Sequence, residues 1–205
     1  MSRYKQATAF WVTHPSQGEL KQEALPAPGE GEVLVRTLYS GISRGIESLV
    51  FNARVPQSEF TRMRAPFQAG DFPTPVKYGY ANVGEVVQGP SHLQNRRVFC
   101  LYPHQDYYVV PATAVVPLPE GVPAARAVLA ANMETAINGV WDAEPVLGER
   151  ISVIGAGVVG ALVAYLCSRI PGVEVQLVDI NPDRETLANQ LGVAFCSSEQ
   201  AQDDQ

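Results

Sequence analysis

Three glycines and one aspartate have the spacing of a nucleotide-binding turn. Gly155, Gly157 and Gly160 form the pattern GxGxxG directly after the β-branched run ISVI. A helix-like stretch, VVGALVAYLCSRI, follows, and the next run, VEVQLVD, predicts a second strand that ends on Asp179. Strand, glycines, helix, strand and terminal acid, in this order, are typical of a dinucleotide-binding βαβ unit.

Each position in such a turn has a physical task. Gly155 allows the tight turn, Gly157 lets the backbone approach a pyrophosphate, and Gly160 lets the helix pack closely on the strand. Val158 and Val159 begin the predicted helix, whose N-terminus offers unpaired N–H groups and a partial positive charge to the phosphates. We therefore predict that these five residues bind the phosphates of a dinucleotide.

Asp179 favours NAD over NADP as the cofactor. Its carboxylate can accept hydrogen bonds from the adenosine ribose hydroxyls, and it would repel the 2′-phosphate of NADP. The segment DINPDR adds Asn181 and Arg184 to the predicted cofactor-binding residues. For Arg184 two interpretations stay open, packing near the adenine or a solvated position on a helix.

The uncharged run of residues 151–167 has two other interpretations. A membrane span needs about 20 apolar residues, whereas this run has 17 and contains three glycines near its start. A glycine-containing core helix without a ligand would not account for the ordered strands and the terminal acid. The sequence therefore predicts a nucleotide site and no membrane segment.

Composition and charge narrow the function classes. The chain has 205 residues, 46% of them hydrophobic and 18% charged, with a formal net charge of −6. Its basic residues form no run longer than Arg96-Arg97, so the surface that nucleic-acid binding requires is not predicted. The three cysteines lie far apart without a CxxC pair, and the N-terminus has no signal-peptide core, which predicts a cytoplasmic protein.

The pattern along the chain changes near residue 124. Short β-branched and aromatic runs, broken by glycine and proline, predict an antiparallel, barrel-like domain over residues 1–123. The alanine-rich residues 124–140 then predict a helix within a connecting region over 124–148. Residues 149–205 hold the nucleotide turn and end in a polar tail, 197–205, for which we predict disorder.

Four segments resemble the medium-chain dehydrogenase/reductase superfamily. They are PAPGEGEVLVRTLYSGIS, GYANVGEVVQGP, VVPLPEGVP and ISVIGAGVVGALVAYL, in that order. The resemblance implies an α/β protein with a GroES-like catalytic β-barrel domain, a connecting helix and a Rossmann domain, and a homodimer when full length. Residues 40–86 are similar to a subgroup that includes bacteriochlorophyllide dehydrogenase-like proteins.

The residues that ligate zinc in the zinc-containing members do not match here. Where the resemblance implies a catalytic cysteine, the chain has Ser43 and Arg44, and where it implies Gly-His-Glu, Tyr80 follows Gly79. The third ligand position falls near residues 131–132, an alanine and an asparagine. Since these side chains do not assemble a tetrahedral zinc site, we predict no metal, and the substrate oxygen must be polarised by other groups.

Five residues are candidates for catalysis. By the resemblance, Tyr80 faces the active site, where its phenol would donate to a carbonyl oxygen, and Ser43 and Arg44 lie in the substrate loop. Glu47 belongs with them, although its spacing from Arg44 also fits a surface salt bridge. Thr135 matches a position beside the nicotinamide, although a helical threonine that bonds its own backbone is the alternative.

His104, in the segment YPHQDYY, is predicted to be a polar surface residue and is not among the catalytic candidates.

The function predicted from these features is an NAD-dependent, zinc-independent oxidoreductase acting on a small-molecule substrate. It would transfer a hydride between NAD(H) and an alcohol, a ketone or an activated alkene. One alternative is a dehydrogenase of the hydroxyethyl-bacteriochlorophyllide type. Another is a truncated, non-catalytic nucleotide-binding paralogue, because residues 151–205 are too few for six parallel strands and predict a fragment.

Overall fold

The computed structural model describes residues 5–198. These residues form two compact units, 5–130 and 131–198, and the division lies inside the predicted connecting region 124–148. The predicted disorder of the tail 197–205 is wrong for Ser197, which is the last residue of a strand, and from residue 199 onward the prediction falls outside the described part of the chain. Among the described residues, no helix is long and apolar enough to cross a membrane.

The first unit contains two antiparallel sheets. Its strands are β1 (Gln6–His14), β2 (Gln17–Ala24), β3 (Glu32–Ser40), β4 (Ala69–Gly70), β5 (Val76–Lys77), β6 (Asn82–Gln88), β7 (Arg97–Cys100), β8 (Tyr107–Pro111) and β9 (Val115–Pro117). The larger sheet has the order β8-β3-β6-β7-β9 and the smaller one β2-β1-β5-β4. All pairings in both sheets are antiparallel, as the alternating runs predict.

Strand β3 is buried on both faces in its first half. Val33 and Val35 lie in one hydrophobic cluster with residues of β6, β7 and β8. Leu34, which points to the opposite face, packs in a second cluster with Ala7 and Leu25. Because β3 pairs with β6 on one side and β8 on the other, it fixes the position of the chain that follows it.

Helix α1 (Arg44–Phe51) directly follows β3. The sequence predicts a loop at Ser43 and Arg44, but Ser43 is the N-cap of this helix and Arg44 its first residue. The backbone N–H of Ser43 donates to Oε1 of Glu47 at 2.7 Å, which closes the first turn. The prediction of a loop is therefore wrong for Arg44, because a serine at the cap and a glutamate in the first turn favour a helix start.

The predicted connecting helix is divided into two helices. Helix α2 (Ala124–Ala127) begins after Pro123, and α3 (Ala130–Ala143) follows after a break of two residues.

The second unit is built on a parallel sheet. Its strands, β10 (Arg150–Ile154), β11 (Glu174–Asp179) and β12 (Ala194–Ser197), lie in the order β10-β11-β12. They are connected by α4 (Val158–Cys167) and α5 (Glu185–Leu191). The sequence pattern predicts β10, α4 and β11 in this order. Helix α4 ends three residues before the predicted Ile170, because the chain tightens there into turns in which Arg169 and Ile170 donate to carbonyls three residues earlier.

Small side chains bring the helices onto this sheet. Ala164 of α4, Ala188 of α5 and Leu177 of β11 are fully buried in one cluster. Alanines at the contact positions let α4 and α5 approach the strands closely, which holds the glycine turn between β10 and α4 in place.

Candidate functional site

The glycine turn connects the carboxyl end of β10 to the N-terminus of α4. Gly155 has a φ of +98°, a conformation that side-chain-bearing residues rarely adopt. Gly157 is the N-cap of α4, and no atom lies within 4 Å of the place a Cβ would occupy. A Cβ on Gly160 would collide with the carbonyl oxygen of Gly155. Gly155 thus permits the turn, Gly157 leaves the outer face of the turn open, and Gly160 permits close contact between the helix and the backbone at Gly155.

Asp179 holds this turn from the neighbouring strand. Its Oδ2 accepts a hydrogen bond from the N–H of Ala156 at 2.7 Å, and its Oδ1 accepts one from the N–H of Asn181 at 2.8 Å. These two amides, together with the charge of Arg184, lower the pKa of Asp179 from its ordinary value of 3.8. The carboxylate is therefore ionised at neutral pH, and each oxygen keeps a lone pair for a ligand hydroxyl.

The residues that follow Asp179 form a short capped turn. The side chain of Asn181 accepts a hydrogen bond from the N–H of Asp183 at 3.0 Å. Asn181 thereby caps a 3₁₀ turn over Pro182–Arg184, which brings the Arg184 charge within range of Asp179. Val158, whose side chain is exposed, and Val159 begin α4 beside the glycines. The second unit therefore gathers all the predicted cofactor-binding residues around one turn.

The first unit has a cleft of about 530 Å³. Its walls combine aromatic and aliphatic side chains with a few polar groups. The lining residues are Phe10, Val12, Ile42, Arg44, Glu47, Ser48, Val50, Phe51, Tyr78 and His104. This volume is within the range of small-molecule sites, and the mixture of apolar walls with few polar groups is typical of them.

Glu47 and His104, which line the cleft, form a hydrogen-bonded chain with Ser40. Nε2 of His104 lies 2.6 Å from Oε2 of Glu47, and Nδ1 of the same ring lies 2.6 Å from the Ser40 hydroxyl. The side chains of His104 and Glu47 are only 17% and 12% exposed. The interpretation of His104 as a surface residue is therefore wrong, and so is that of Glu47 as part of a surface salt bridge with Arg44.

Sequence reasoning misses His104 because its partners are distant in the chain. Strand β3 supplies Ser40, helix α1 supplies Glu47, and the segment between β7 and β8 supplies His104. Gly79 leaves room for the ring, since a Cβ at this position would lie 3.1 Å from it. The N–H of His104 donates to the carbonyl oxygen of Tyr78 at 3.2 Å, which anchors the segment. No pattern of residues that are close in the sequence predicts this arrangement.

Tyr80 and Ser43 lie beside this chain. Burial raises the pKa of Tyr80, the carboxylate of Glu47 raises it further, and a hydrogen bond with the Ser43 side chain acts in the opposite direction. Tyr80 also packs edge-on against Tyr78, with ring centroids 6.0 Å apart. The structure thus brings Ser43, Glu47 and Tyr80 together, with Arg44 on the wall of the adjoining cleft.

Thr135 is in the second unit. It lies on α3, and its hydroxyl donates to the carbonyl oxygen of Ala131 at 3.1 Å. This is the backbone bond of a helical threonine that the alternative interpretation describes, and a role beside the nicotinamide stays a prediction. Over residues 5–198, no three His, Cys, Asp or Glu side chains are grouped so that they would hold a metal ion.

Comparisons with known proteins find similarity to several oxidoreductases. No protein-family model matches the chain. The L-threonine 3-dehydrogenase of Rhizobium rhizogenes strain K84 is 31% identical over 88 residues, which cover 43% of this chain and 25% of that protein. The quinone oxidoreductase of Thermus thermophilus, also solved with NADPH, has a TM-score of 0.71 at 22% identity, covering 93% of this chain and 59% of that one. Acetophenone reductase from Geotrichum candidum NBRC 4597 with NAD has a TM-score of 0.75 at 18% identity, covering 96% and 64%.

A stretch of 88 residues is thus similar to L-threonine 3-dehydrogenase, and the described residues have the fold of the two solved enzymes.

The two units correspond to parts of the medium-chain dehydrogenase/reductase fold. The antiparallel first unit is the GroES-like domain, and the parallel second unit is part of the Rossmann domain. Its order β12-β11-β10 is the order 3-2-1 of the first half of a dinucleotide-binding sheet. The chain spans about a quarter of the length of the curated relatives it matches and 59–64% of the two solved structures.

Proposed function

We propose that the second unit binds NAD and that the protein it belongs to is an oxidoreductase of the medium-chain type. The reaction is a hydride transfer between NAD(H) and an alcohol, a ketone or an activated alkene. The observation that carries the proposal is the clamp between Asp179 and the glycine turn, in which Ala156 donates to the carboxylate beside the N-terminus of α4.

The turn suits a pyrophosphate for three reasons. Gly157 leaves its outer face open, so that a phosphate can reach the backbone N–H groups. Helix α4 has 10 residues, and its N-terminus carries a partial positive charge. NADPH and NAD are bound in the two structurally similar enzymes described above, which supports a nicotinamide cofactor here.

The charge on Asp179 supports NAD as the preferred form. At neutral pH its lowered pKa keeps the carboxylate ionised, and an anion at this place repels the 2′-phosphate of NADP. Its free lone pairs can accept the hydroxyls of an adenosine ribose. Arg184 lies close enough to act on the same ligand, and we propose that it packs near the adenine.

Fluorescence titration of the 205-residue chain with NADH and with NADPH tests this proposal. We expect tighter binding of NADH, and we expect Asp179→Asn to weaken NADH binding about tenfold while reducing the discrimination against NADPH. Asp183→Asn, the same change on the neighbouring turn, is the matched control and should leave both affinities unchanged. Equal binding of the two cofactors by the unmodified chain would refute the NAD preference, and binding of neither would refute the proposed function.

We further propose that this oxidoreductase acts without zinc. The support is the chemistry of Ser43 and Tyr80, which stand where the zinc-containing relatives are expected to have ligands and which do not form a tetrahedral zinc site. Elemental analysis of the native gene product should find far less than one zinc per chain. One zinc per chain that survives dialysis against a chelator would contradict the proposal.

The remaining expectations stay predictions. Ser43, Arg44, Glu47, Tyr80 and Thr135 are the candidate catalytic residues. A cytoplasmic location, a homodimer when full length and the absence of nucleic-acid binding rest on the sequence.

A further inference from the structure

We propose that the cleft of the first unit binds a ring-bearing, apolar alcohol and that Glu47 accepts the proton of its hydroxyl, with His104 and Ser40 as positioning residues. The inference rests on the proposed function, because the alcohol is the substrate of the hydride transfer proposed above. It adds the class of substrate, the base and the two residues that hold the base.

The walls of the cleft select an apolar molecule with rings. Phe10, Phe51 and Tyr78 supply aromatic surface, and Val12 and Val50 supply aliphatic surface between them. Aromatic side chains favour ligand rings in offset or edge-on contact. A volume of about 530 Å³ accommodates two or three fused rings and is larger than a short-chain alcohol requires.

Glu47 is a carboxylate placed in this apolar environment with two hydrogen bonds. Its Oε1 accepts the N–H of Ser43 and its Oε2 accepts from the ring of His104. A buried charge is costly unless it is hydrogen-bonded, and these two partners support it. Each oxygen keeps a further lone pair, and Glu47 lines the cleft, so a ligand hydroxyl is a suitable third donor.

His104 lines the cleft but offers the substrate no free ring nitrogen, since both nitrogens are engaged. Nδ1 is held by the Ser40 hydroxyl and Nε2 by Glu47, each at 2.6 Å. Ser40 is the last residue of β3. The strand therefore anchors the His104 ring, and through the ring it anchors the Glu47 carboxylate. This fixes the Glu47 rotamer and directs its free lone pairs, which is the function of a positioning residue.

The reaction balances with these groups. The carbinol C–H bond breaks and its hydride reduces NAD⁺ to NADH, while the O–H bond breaks and its proton passes to the Glu47 carboxylate. The carbinol carbon is oxidised and a C=O double bond forms. Glu47 then returns the proton to water, because part of its side chain stays exposed.

A pair of matched ligands tests the proposal without a cofactor. The probes are 1-(2-naphthyl)ethanol, which can donate to a carboxylate, and 2-acetylnaphthalene, which can only accept. Calorimetric titration of the 205-residue chain should show tighter binding of the alcohol. Glu47→Gln should weaken alcohol binding about tenfold and change ketone binding less than twofold. Glu19→Gln, the same change on exposed β2, should alter neither affinity.

Two further variants locate the site and test the positioning role. Ser48→Trp places a large side chain into the cleft and should abolish binding of both probes. His104→Leu should remove the preference for the alcohol while ketone binding persists, and His104→Gln, which keeps an N–H donor for Glu47, should restore that preference. A residue that only maintains the fold would change both ligands equally and would not be rescued.

Each other outcome overturns the proposal. Undiminished alcohol binding by Glu47→Gln would remove Glu47 as the acceptor, and an equal loss for both probes would make it a structural residue only. Binding that survives in Ser48→Trp would place the ligand elsewhere. NADH titration of the same variants separates this inference from the proposed function, because Glu47→Gln should bind NADH as the unmodified chain does. A chain that binds NADH without preferring the alcohol defeats this inference alone.

Discussion

Asp179 connects the charge of one side chain to the stability of the glycine turn. Its lowered pKa means that the folded turn favours the ionised carboxylate, through the amides of Asn181 and Ala156. The stabilisation is therefore complete above the ordinary value of 3.8 and is lost as the pH falls through the lower pKa of the folded state.

We expect Asp179→Asn to lower the thermal stability of the second unit at pH 6, and the difference from the unmodified chain to shrink toward pH 3. Circular dichroism melts across this range measure the difference. A constant difference at every pH would contradict the assignment of the effect to ionisation.

The cysteines give a prediction about reactivity. All three thiols, Cys100, Cys167 and Cys196, are free and buried. Burial raises the pKa of Cys100 to about 11 and also raises that of Cys167. Because the thiolate is the reactive form, and about one Cys100 in a thousand is ionised at pH 8, the native chain should react slowly with a disulfide reagent at this pH. Three rapid equivalents should appear in denaturant, and rapid reaction of the native chain would show that the cores open readily.

The roles of some site residues can be predicted from the sequence, and those of others cannot. Gly155, Gly160 and Asp179 are predictable because their tasks depend on spacing within one βαβ unit, where local order fixes the geometry. His104 is not, because it meets Glu47 only through pairing of strands that are distant in the chain. Glu47 is identified as a candidate, but the only partner that its spacing suggests is Arg44, the nearest opposite charge in sequence.

The junction between β10 and α4 requires a glycine at position 160. A Cβ at position 160 would collide with the backbone at Gly155, and backbone cannot move aside as a flexible side chain can. We expect Gly160→Ala to destabilise the second unit by about 1–3 kcal/mol and to weaken NADH binding at the same time. Urea denaturation and NADH titration measure the two effects.

Gly139 is the matched control for this substitution. It lies inside α3, and beyond the backbone of its own helix and its two chain neighbours nothing lies within 4 Å of the place its Cβ would occupy. Gly139→Ala should therefore stabilise the chain by about 0.5–1 kcal/mol, since alanine is the better helix former. If both alanine variants had the same stability, the close contact at Gly160 would not be the cause.

Secondary-structure elements are predictable from the sequence where the hydrophobic periodicity is strong. They are less predictable where the capping residues determine whether a short helix forms and where it begins. The runs that become β10, β11 and α4 are recognisable because the two strands are rich in β-branched residues and the helix has apolar residues at helical spacing. Helix α1 is missed because its eight residues follow a strand directly and its start depends on Ser43 and Glu47. The connecting helix is predicted as one element, although the structure divides it at Val128 and Leu129.

At the scale of the whole molecule, the β10 edge of the parallel sheet predicts association between copies of the chain. Over the described residues, β10 pairs with β11 alone. Ile154 and Ile180, which lie at the carboxyl end of β10 and just after β11, are 86% and 85% exposed. An open strand edge with large apolar side chains is a template for pairing with another chain.

We expect the 205-residue chain to associate as its concentration rises, and Ile154→Lys to weaken this association about tenfold. Leu20→Lys is the control, since Leu20 is 74% exposed on β2 of the other unit. Sedimentation velocity over a range of concentrations measures both variants. A monomeric unmodified chain at high concentration would show that the edge is protected.

The clamp between Asp179 and the glycine turn has a consequence for the rate of nucleotide binding. The turn acquires its shape when the second unit folds, because a carboxylate of the same unit already engages the N–H of Ala156. The conformational entropy of these loop residues, about 1–2 kcal/mol each, is therefore lost before a ligand arrives. Encounter between nucleotide and protein, and not rearrangement of the loop, then limits association, so the observed rate should rise linearly with nucleotide concentration without reaching a plateau.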